Sequence, residues 1–437
     1  MSDKARTPKR KPTSSKPASK NEFSANSERD LPLKLKMRRL FWSMGSSTCL
    51  DVKLRAYVSG DERGTSRQEY TDLDVLGVAC SIDGRLQFAL ADCKTSSRRA
   101  IERMFWIRGV ADFFEADNAY LVRSNTVPAA TRSLSVRLGI GVLDPHDFEK
   151  LLETFETPLS FSGPLECLFD ARSVQRQLSF VTDVDKKLKP LIDYMRFDYW
   201  VYEPYRNLTQ VVAHLAESVK TLDPQNPLHQ SLFFEAAWLY SLAVAQASHH
   251  VRISRMSDIL TAVRTYVAGG ELALREKNAL AKLLEQAGIV VDTRSAVLPP
   301  YTDDLAELIT RITVRPSEAS DILRYAEYLS TATAVGEGAS VGVAFGQTHV
   351  RPIAAKLLAD VCGFLVAASG LRPDFRMVAR HRLVHDLTGG DVKETQDDDY
   401  RSAGASPTTA SNDEEKQKAS DSLELPFGGE TETEIVD

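Results

Sequence analysis

Strand-like and helix-like runs alternate along the first third of the chain, whereas helical spacing dominates the rest. Between residues 31 and 157, short apolar runs that favour strands alternate with runs whose apolar residues recur every three or four positions. Beyond residue 158 the spacing is almost entirely helical, as in Leu208, Val211 and Leu215. We therefore predict an α/β domain, a mixed sheet flanked by helices, followed by an all-α domain.

Charge and composition set the two ends of the chain apart. Residues 1–30 carry eight Lys or Arg against four acids, and residues 391–437 carry four against fourteen. Both ends have few large apolar residues, so neither can bury enough surface to offset the loss of chain entropy. We predict a disordered basic tail over 1–30, an α/β domain over 31–157, an exposed linker over 158–170, a helical domain with a separate core over 171–390, and a disordered acidic tail over 391–437.

The overall composition is that of a soluble globular protein, with 43% hydrophobic and 26% charged residues in 437. Five cysteines without a C-x-x-C spacing fit neither a disulfide framework nor a structural zinc site. The longest apolar stretch, from Ile353 to Leu371, contains Lys356 and Asp360, which a membrane span would have to bury. We expect a cytoplasmic protein that does not enter a membrane.

The stretch from Tyr70 to Lys94 contains two apolar strands around an Asp83-Gly84 turn, which predicts a β-hairpin. A two-residue turn would set Asp74 opposite Cys93. A three-residue loop, with glycine in the left-handed conformation, would set Asp74 opposite Asp92 instead. We favour the second register because it brings two carboxylates together.

Paired carboxylates at that position predict a metal site. Directly opposed Cβ atoms lie about 4.5–5.5 Å apart, so Asp74 and Asp92 can share one divalent cation, with the Cys93 backbone carbonyl as a further ligand. Oxygen ligands of this kind suit Mg²⁺ or Mn²⁺. Lys94 would then stabilise charge on an attacked phosphate, and Asp72 would face Lys94 in a supporting role.

Asp74, Asp92 and Lys94 resemble the signature of the PD-(D/E)XK restriction-endonuclease-like superfamily, an acid on one strand and acid-x-Lys on the next. The predicted elements that follow are similar to its Mrr-like branch: a helix over 97–115, a strand over 119–123, a helix over 129–138, the segment Gly139–Asp144 and a helix to Phe155. The resemblance covers residues 31–157. It implies a metal-dependent endonuclease that cleaves nucleic acid, with DNA favoured, as in restriction or anti-phage defence.

One departure from the family keeps a second class of function open. Many relatives carry a glutamate in the first helix, whereas the predicted helix Leu33–Met44 contains basic residues and no acid. A catalytically inactive protein that binds nucleic acid, or acts as a scaffold, would use the same fold.

Three further segments and the helical domain are candidate contacts with partners. Arg98, Arg99 and Arg103 open the helix after the motif, where they would either meet phosphates or form a solvated helix face. The aromatic segment 197–205 reads either as a base-stacking platform or as packing. In the acidic tail, residues 422–427 (Ser-Leu-Glu-Leu-Pro-Phe) are similar to the motif that binds bacterial sliding clamps, and the helical domain is a candidate surface for a protein partner.

Overall fold

The computed structural model describes residues 20–58, 66–95, 100–155, 161–179, 184–288 and 297–384, with side chains from residue 29 onward except at 56–58 and 66–68. Five strands in these ranges form one mixed sheet in the order β1-β2-β3-β4-β5. They are β1 (Ser47–Val58), β2 (Ser66–Cys80), β3 (Leu86–Lys94), β4 (Asn118–Arg123) and β5 (Gly141–Leu143). The first three strands are antiparallel to one another, and β4 and β5 run parallel to β3.

The β2–β3 hairpin has the register that the three-residue loop predicts. Cys80 pairs with Leu86, and the Ser81 amide donates a hydrogen bond to the Arg85 carbonyl at 2.9 Å. Gly84 has a φ of 81°, the left-handed conformation that the loop requires. The ladder ends at the pair of Val75 with Ala91, one position short of the predicted carboxylates.

Helices cover both faces of the sheet, as the apolar character of both faces predicts. The helices of this part are α1 (Lys20–Ser43), α2 (Ala100–Phe113), α3 (Ala129–Leu138) and α4 (Pro145–Thr154). Met37 of α1 packs on one face against Val75 and Cys93, whereas Met104 of α2 belongs to the cluster on the opposite face with Leu90.

The rest of the described chain is helical, which confirms the predicted change from an α/β part to an α part. Its helices are α5 (Ala171–Ser179), α6 (Lys189–Arg196), α7 (Pro204–Ser218), α8 (Pro227–Ser254), α9 (Ile259–Ala268), α10 (Glu271–Gln286), α11 (Thr302–Thr313), α12 (Ala319–Val335), α13 (Val341–Phe345), α14 (Pro352–Ser369) and α15 (Asp374–Leu383). Short 3₁₀ turns lie at Gly163–Leu168, Lys186–Leu188, Asp198–Trp200 and Pro316–Glu318. By length and composition α14 is apolar enough to span a membrane, but 56% of it is buried inside the protein.

The expectation of two separate cores is wrong for the described residues. The main hydrophobic cluster runs without a break from Leu76 and Leu90 of the sheet to Leu232 and Tyr325 of the helical part, and all of these residues belong to one compact unit. The predicted linker is not simply exposed either, because Leu165 is fully buried. Periodicity locates the helices, but it does not reveal that their apolar faces meet the sheet.

Of the two predicted tails, the structure describes only the last residues of the basic one. The basic tail was expected to extend to residue 30, but α1 begins at Lys20, and Asp30 is 7% exposed. Residues 1–19 and the whole acidic tail, including residues 422–427, lie outside the described part of the chain.

Candidate functional site

Asp74 lies where β2 and β3 separate. Extending the ladder by one residue sets Asp74 opposite Asp92, as the hairpin register predicts. The two strands diverge here, and the Asp74 carboxylate accepts a hydrogen bond from the Cys93 amide at 2.8 Å. Asp74 is 4% exposed, so its charge must be met by partners inside the protein.

Two lysines, from different elements, meet the charge of Asp74. Lys94 of β3 approaches one carboxylate oxygen of Asp74 at 3.0 Å, and Lys34 of α1 approaches the other at 2.9 Å. Lys34 also forms an ion pair with Asp51 of β1. Because Lys34 is only 2% exposed, a side chain that the sequence places in a basic helix is instead an internal cation of this site.

Asp92 has a different partner from Asp74. The Arg103 guanidinium of α2 holds both oxygens of the Asp92 carboxylate, with two hydrogen bonds of 2.6 Å, and Lys94 lies 3.6 Å away. Arg103 also stacks on the ring of Trp106, with its central carbon 3.6 Å from the ring centroid. A fork of this kind fixes the orientation of the carboxylate more firmly than a single bond would.

The first helix brings an acid to the site after all. Asp30 of α1 accepts hydrogen bonds from the amide and hydroxyl groups of Thr95 at 3.0 and 2.7 Å, and lies 3.7 Å from the Lys94 ammonium. The predicted helix began at Leu33, and so the sequence analysis missed this residue.

Three acids on β1 and β2 approach one another closely. One carboxylate oxygen from each of Asp51, Asp72 and Asp74 lies within 4.8 Å of the other two, close enough to hold a metal ion. Asp51 has a φ of 54°, a left-handed conformation that is uncommon for residues other than glycine. Such local strain persists only where the surroundings enforce it, here at the point where β1 passes the divergence of β2 and β3.

The charges push the pKa values of the paired carboxylates apart. Burial alone would raise the pKa of Asp74, but Lys34, Lys94 and the Cys93 amide together hold it below its ordinary value. Burial, followed by the charge of Asp74, raises the pKa of Asp92 above the ordinary value despite the Arg103 fork. A pair of this kind ionises in two separated steps.

Lys94 is a cation at neutral pH. Burial alone would lower the pKa of Lys94, but Asp74 and Asp92 outweigh that effect and raise it above the ordinary value. The lysine side chain can therefore attract a phosphate or stabilise negative charge that develops on it, and is not suited to act as a general base.

The structure brings some of the predicted site residues together and separates others. Asp74, Asp92 and Lys94 converge, whereas Asp72 groups with Asp51 and Asp74; among the described residues, the ion pairs of Lys94 are with Asp30, Asp74 and Asp92. The Cys93 thiol points away into the core beside α1, where burial raises its pKa well above the ordinary value. Arg98 and Arg99 lie outside the described residues, and Arg103 is engaged with Asp92.

The acids of β1 and β2 form a cluster close enough to hold a cation, although Lys34 already pairs with Asp51 and Asp74. The cluster of Asp51, Asp72 and Asp74 offers hard oxygen donors, which Mg²⁺ and Mn²⁺ prefer. The Arg103 fork occupies one lone pair on each oxygen of Asp92, so the remaining lone pairs of this carboxylate would be the ones available to a cation.

Comparison of the chain with protein-family models, with curated proteins and with solved structures finds no match.

Proposed function

We propose that the protein is a metal-dependent nuclease that hydrolyses phosphodiester bonds in nucleic acid, with DNA the favoured substrate. The observation that carries the proposal is the convergence of Asp74, Asp92 and Lys94 at the divergence of β2 and β3, with Lys94 3.0 Å from one carboxylate and 3.6 Å from the other. The same three residues carry the resemblance to the PD-(D/E)XK restriction-endonuclease-like superfamily. Asp30 supports the proposal, because it supplies an acid from α1 that the predicted helix Leu33–Met44 did not include.

The residues divide the chemical work between them. Asp74, with Asp51 and Asp72, would hold Mg²⁺ or Mn²⁺, which polarises a phosphate and lowers the pKa of bound water. Lys94 places a positive charge beside the attacked phosphate, while Arg103 orients Asp92 and Lys34 orients Asp74 and Asp51. Water attack of this kind needs no covalent enzyme intermediate.

A second candidate, a protein that binds nucleic acid without cleaving it, is favoured by the internal cations. Lys34 and Arg103 already neutralise the carboxylates that a metal would otherwise require. In this alternative the protein uses the same fold to bind nucleic acid or to act as a scaffold, in the cytoplasmic restriction or anti-phage defence that the family resemblance implies.

Cleavage and binding should be measured side by side on the full chain, with Mg²⁺, Mn²⁺ or EDTA and with single-stranded and duplex DNA and RNA. We expect metal-dependent cleavage that Asp74→Asn and Asp92→Asn abolish, and that Lys94→Ala lowers by about 10²–10³-fold while substrate binding persists. Asp112→Asn is the matched control, because Asp112 of α2 is an exposed partner of Arg108.

The two candidate functions give different results in this experiment. If the wild-type protein binds nucleic acid but cleaves none of the substrates with either metal, the nuclease proposal fails and the binding protein takes its place. If Asp112→Asn lowers cleavage as much as Asp74→Asn does, the loss is not specific to the site.

A further inference from the structure

An aromatic groove of about 640 Å³ lies between the sheet, the end of α2 and the segment that precedes α7. Phe88 of β3, Phe114 and Trp200 follow one another along it, with ring centroids 5.7 and 6.1 Å apart. Tyr202 also lines the groove. The volume is in the range of pockets that hold small organic groups.

Two aromatic rings stand exposed at the mouth of the groove. Tyr70 of β2 is 54% exposed and Phe113 of α2 is 63% exposed, yet their rings meet edge to face at 6.1 Å. Large apolar side chains exposed next to a groove are typical of binding surfaces. A planar ligand inserted there would cover apolar surface that the protein leaves in water.

Within the segment 197–205, some aromatic residues pack in the core and others line the groove. Tyr199 is 5% exposed and donates a hydrogen bond from its hydroxyl group to the Leu239 carbonyl, so it belongs to the core. Tyr199 borders the groove as well, but Trp200 and Tyr202 line it with side chains that are only half-buried. The two interpretations of this segment apply to different residues of it.

The charges of the groove suit a neutral ring better than a phosphate. Arg85 pairs with Asp117 at 2.7 Å, and Arg55 shares Glu69 with Lys53. Glu115 and Glu203 also line the groove, so its lining carries no excess of positive charge. Gln246 also lines the groove, and its side-chain amide makes no hydrogen bond to the described residues. An amide that can both donate and accept is suited to the edge of a heterocyclic base.

The groove lies on the same face of the sheet as the candidate site. Phe88 and Lys94 are six residues apart on β3, or about 20 Å at the rise of a strand. Phe113 is ten residues beyond Arg103 on α2, or about 15 Å at the rise of a helix. A nucleic acid strand with a phosphate at Lys94 can therefore reach the groove with a nearby base.

We propose that this groove binds an unpaired nucleobase of the nucleic acid whose backbone lies at Lys94, so that the substrate is single-stranded at this position. The inference rests on the proposed function and deepens it. Stacking of a base on exposed rings is tolerant of sequence, so the groove would distinguish unpaired from paired strands more than one base from another.

The test is a binding experiment without metal, so that cleavage does not enter. Anisotropy of labelled 12-nucleotide strands is measured in EDTA with the full chain, using base-bearing DNA, base-bearing RNA and an abasic strand of equal length and charge. Unlabelled AMP serves as a competitor to distinguish a polymer base from a free nucleotide. Variants are Phe113→Ala and Tyr70→Ala, and Phe105→Ala is the matched control because Phe105 is 57% exposed on the same helix but does not line the groove.

We expect Phe113→Ala and Tyr70→Ala each to weaken binding of the base-bearing strand by about 5-fold or more, within the range for base stacking, and to leave binding of the abasic strand unchanged. Phe105→Ala should not change the ratio of the two affinities. Competition by AMP at concentrations similar to the strand would identify a free nucleotide as the natural source of the base.

Two results would overturn the inference. One is equal binding of base-bearing and abasic strands by the wild-type protein; the other is an unchanged ratio in both Phe113→Ala and Tyr70→Ala. Neither depends on cleavage: a protein that cleaves but shows no base dependence keeps its proposed function and loses this groove. A protein that shows base dependence without cleavage keeps the groove and loses the nuclease.

Discussion

Glu327 is the residue whose replacement most directly tests how the two parts of the molecule are joined. It lies on α12 with 5% exposure and pairs with Arg38 of α1, which is 3% exposed, at 2.7 Å. The same carboxylate accepts hydrogen bonds from the Trp42 indole at 3.0 Å, from the Ser47 hydroxyl at 2.9 Å and from the Thr48 amide at 2.7 Å. All of these partners are donors, so only a carboxylate satisfies them.

Glu327→Gln keeps the volume of the side chain but removes its charge. It also places an amide NH₂, itself a donor, against groups that donate hydrogen bonds to Glu327. Breaking a buried pair by removing one partner costs about 3–5 kcal/mol, because the other charge is left buried and unpaired. We therefore expect Glu327→Gln to lower the free energy of unfolding by about that amount. Glu271→Gln, which removes an exposed partner of Arg275 on α10, should cost about 0–1 kcal/mol.

Urea denaturation followed by tryptophan fluorescence measures these differences, with the m-value as a check that the unfolding transition is unchanged. Arg38→Met and the double variant complete a cycle. The double variant should cost less than the sum of the two single changes, because neither charge then remains buried alone. If Glu327→Gln costs no more than Glu271→Gln, or if the single costs simply add, the pair does not join the two parts as described.

Two further predictions concern the site and the hairpin that forms it. The pKa of Asp74 in the folded protein lies below its unfolded value of about 3.9, so ionised Asp74 stabilises the fold above that pH. This stabilisation is lost as the pH falls through the pKa of the folded state. Asp74→Asn should therefore flatten the fall in the free energy of unfolding between about pH 5 and pH 2, and an unchanged slope would contradict the assignment. Gly84→Ala should destabilise the protein by about 1–2 kcal/mol, because the φ of Gly84 is 81°. Gly109→Ala is the control: this glycine lies in the open middle of α2, and its replacement should stabilise the protein by about 0.5–1 kcal/mol. Equal effects of the two changes in thermal unfolding would contradict the left-handed role of Gly84 in the hairpin.

Local signals in the sequence sufficed for the hairpin and its register. The Asp83-Gly84 turn and the apolar residues on both sides are neighbours along the chain, and the φ of Gly84 follows from a steric preference that acts within one residue. The juxtaposition of Asp74 with Asp92 then follows from counting along two strands, without knowledge of the rest of the fold.

The partners of these carboxylates could not be predicted in the same way. Lys34 is one of six basic residues in α1, and nothing local distinguishes it as the one that is buried against Asp51 and Asp74. Asp51 left no signal either, because apolar and polar residues alternate from Leu50 to Arg55 as in any strand with one solvated face. Arg103 was expected to meet phosphates, and its fork on Asp92 depends on how α2 lies across the sheet.

The network around Glu327 shows why the two cores merge. A glutamate in the middle of an apolar helix signals a buried partner, but the partner, Arg38, is 289 residues away in sequence. Gly77 is a similar case: a Cβ at this position would lie 2.7 Å from the Phe41 ring, so glycine allows α1 to pack closely on the sheet. Both contacts depend on long-range packing that periodicity does not encode.

Packing of α1 also links the helical part to the candidate site. Arg38 and Lys34 are four residues apart on α1 and so lie on the same side of the helix, one turn from each other. Glu327 fixes the first of these residues, and Asp51 and Asp74 hold the second. The helical part of the protein therefore helps to set the position of the helix that carries Lys34 beside the carboxylates.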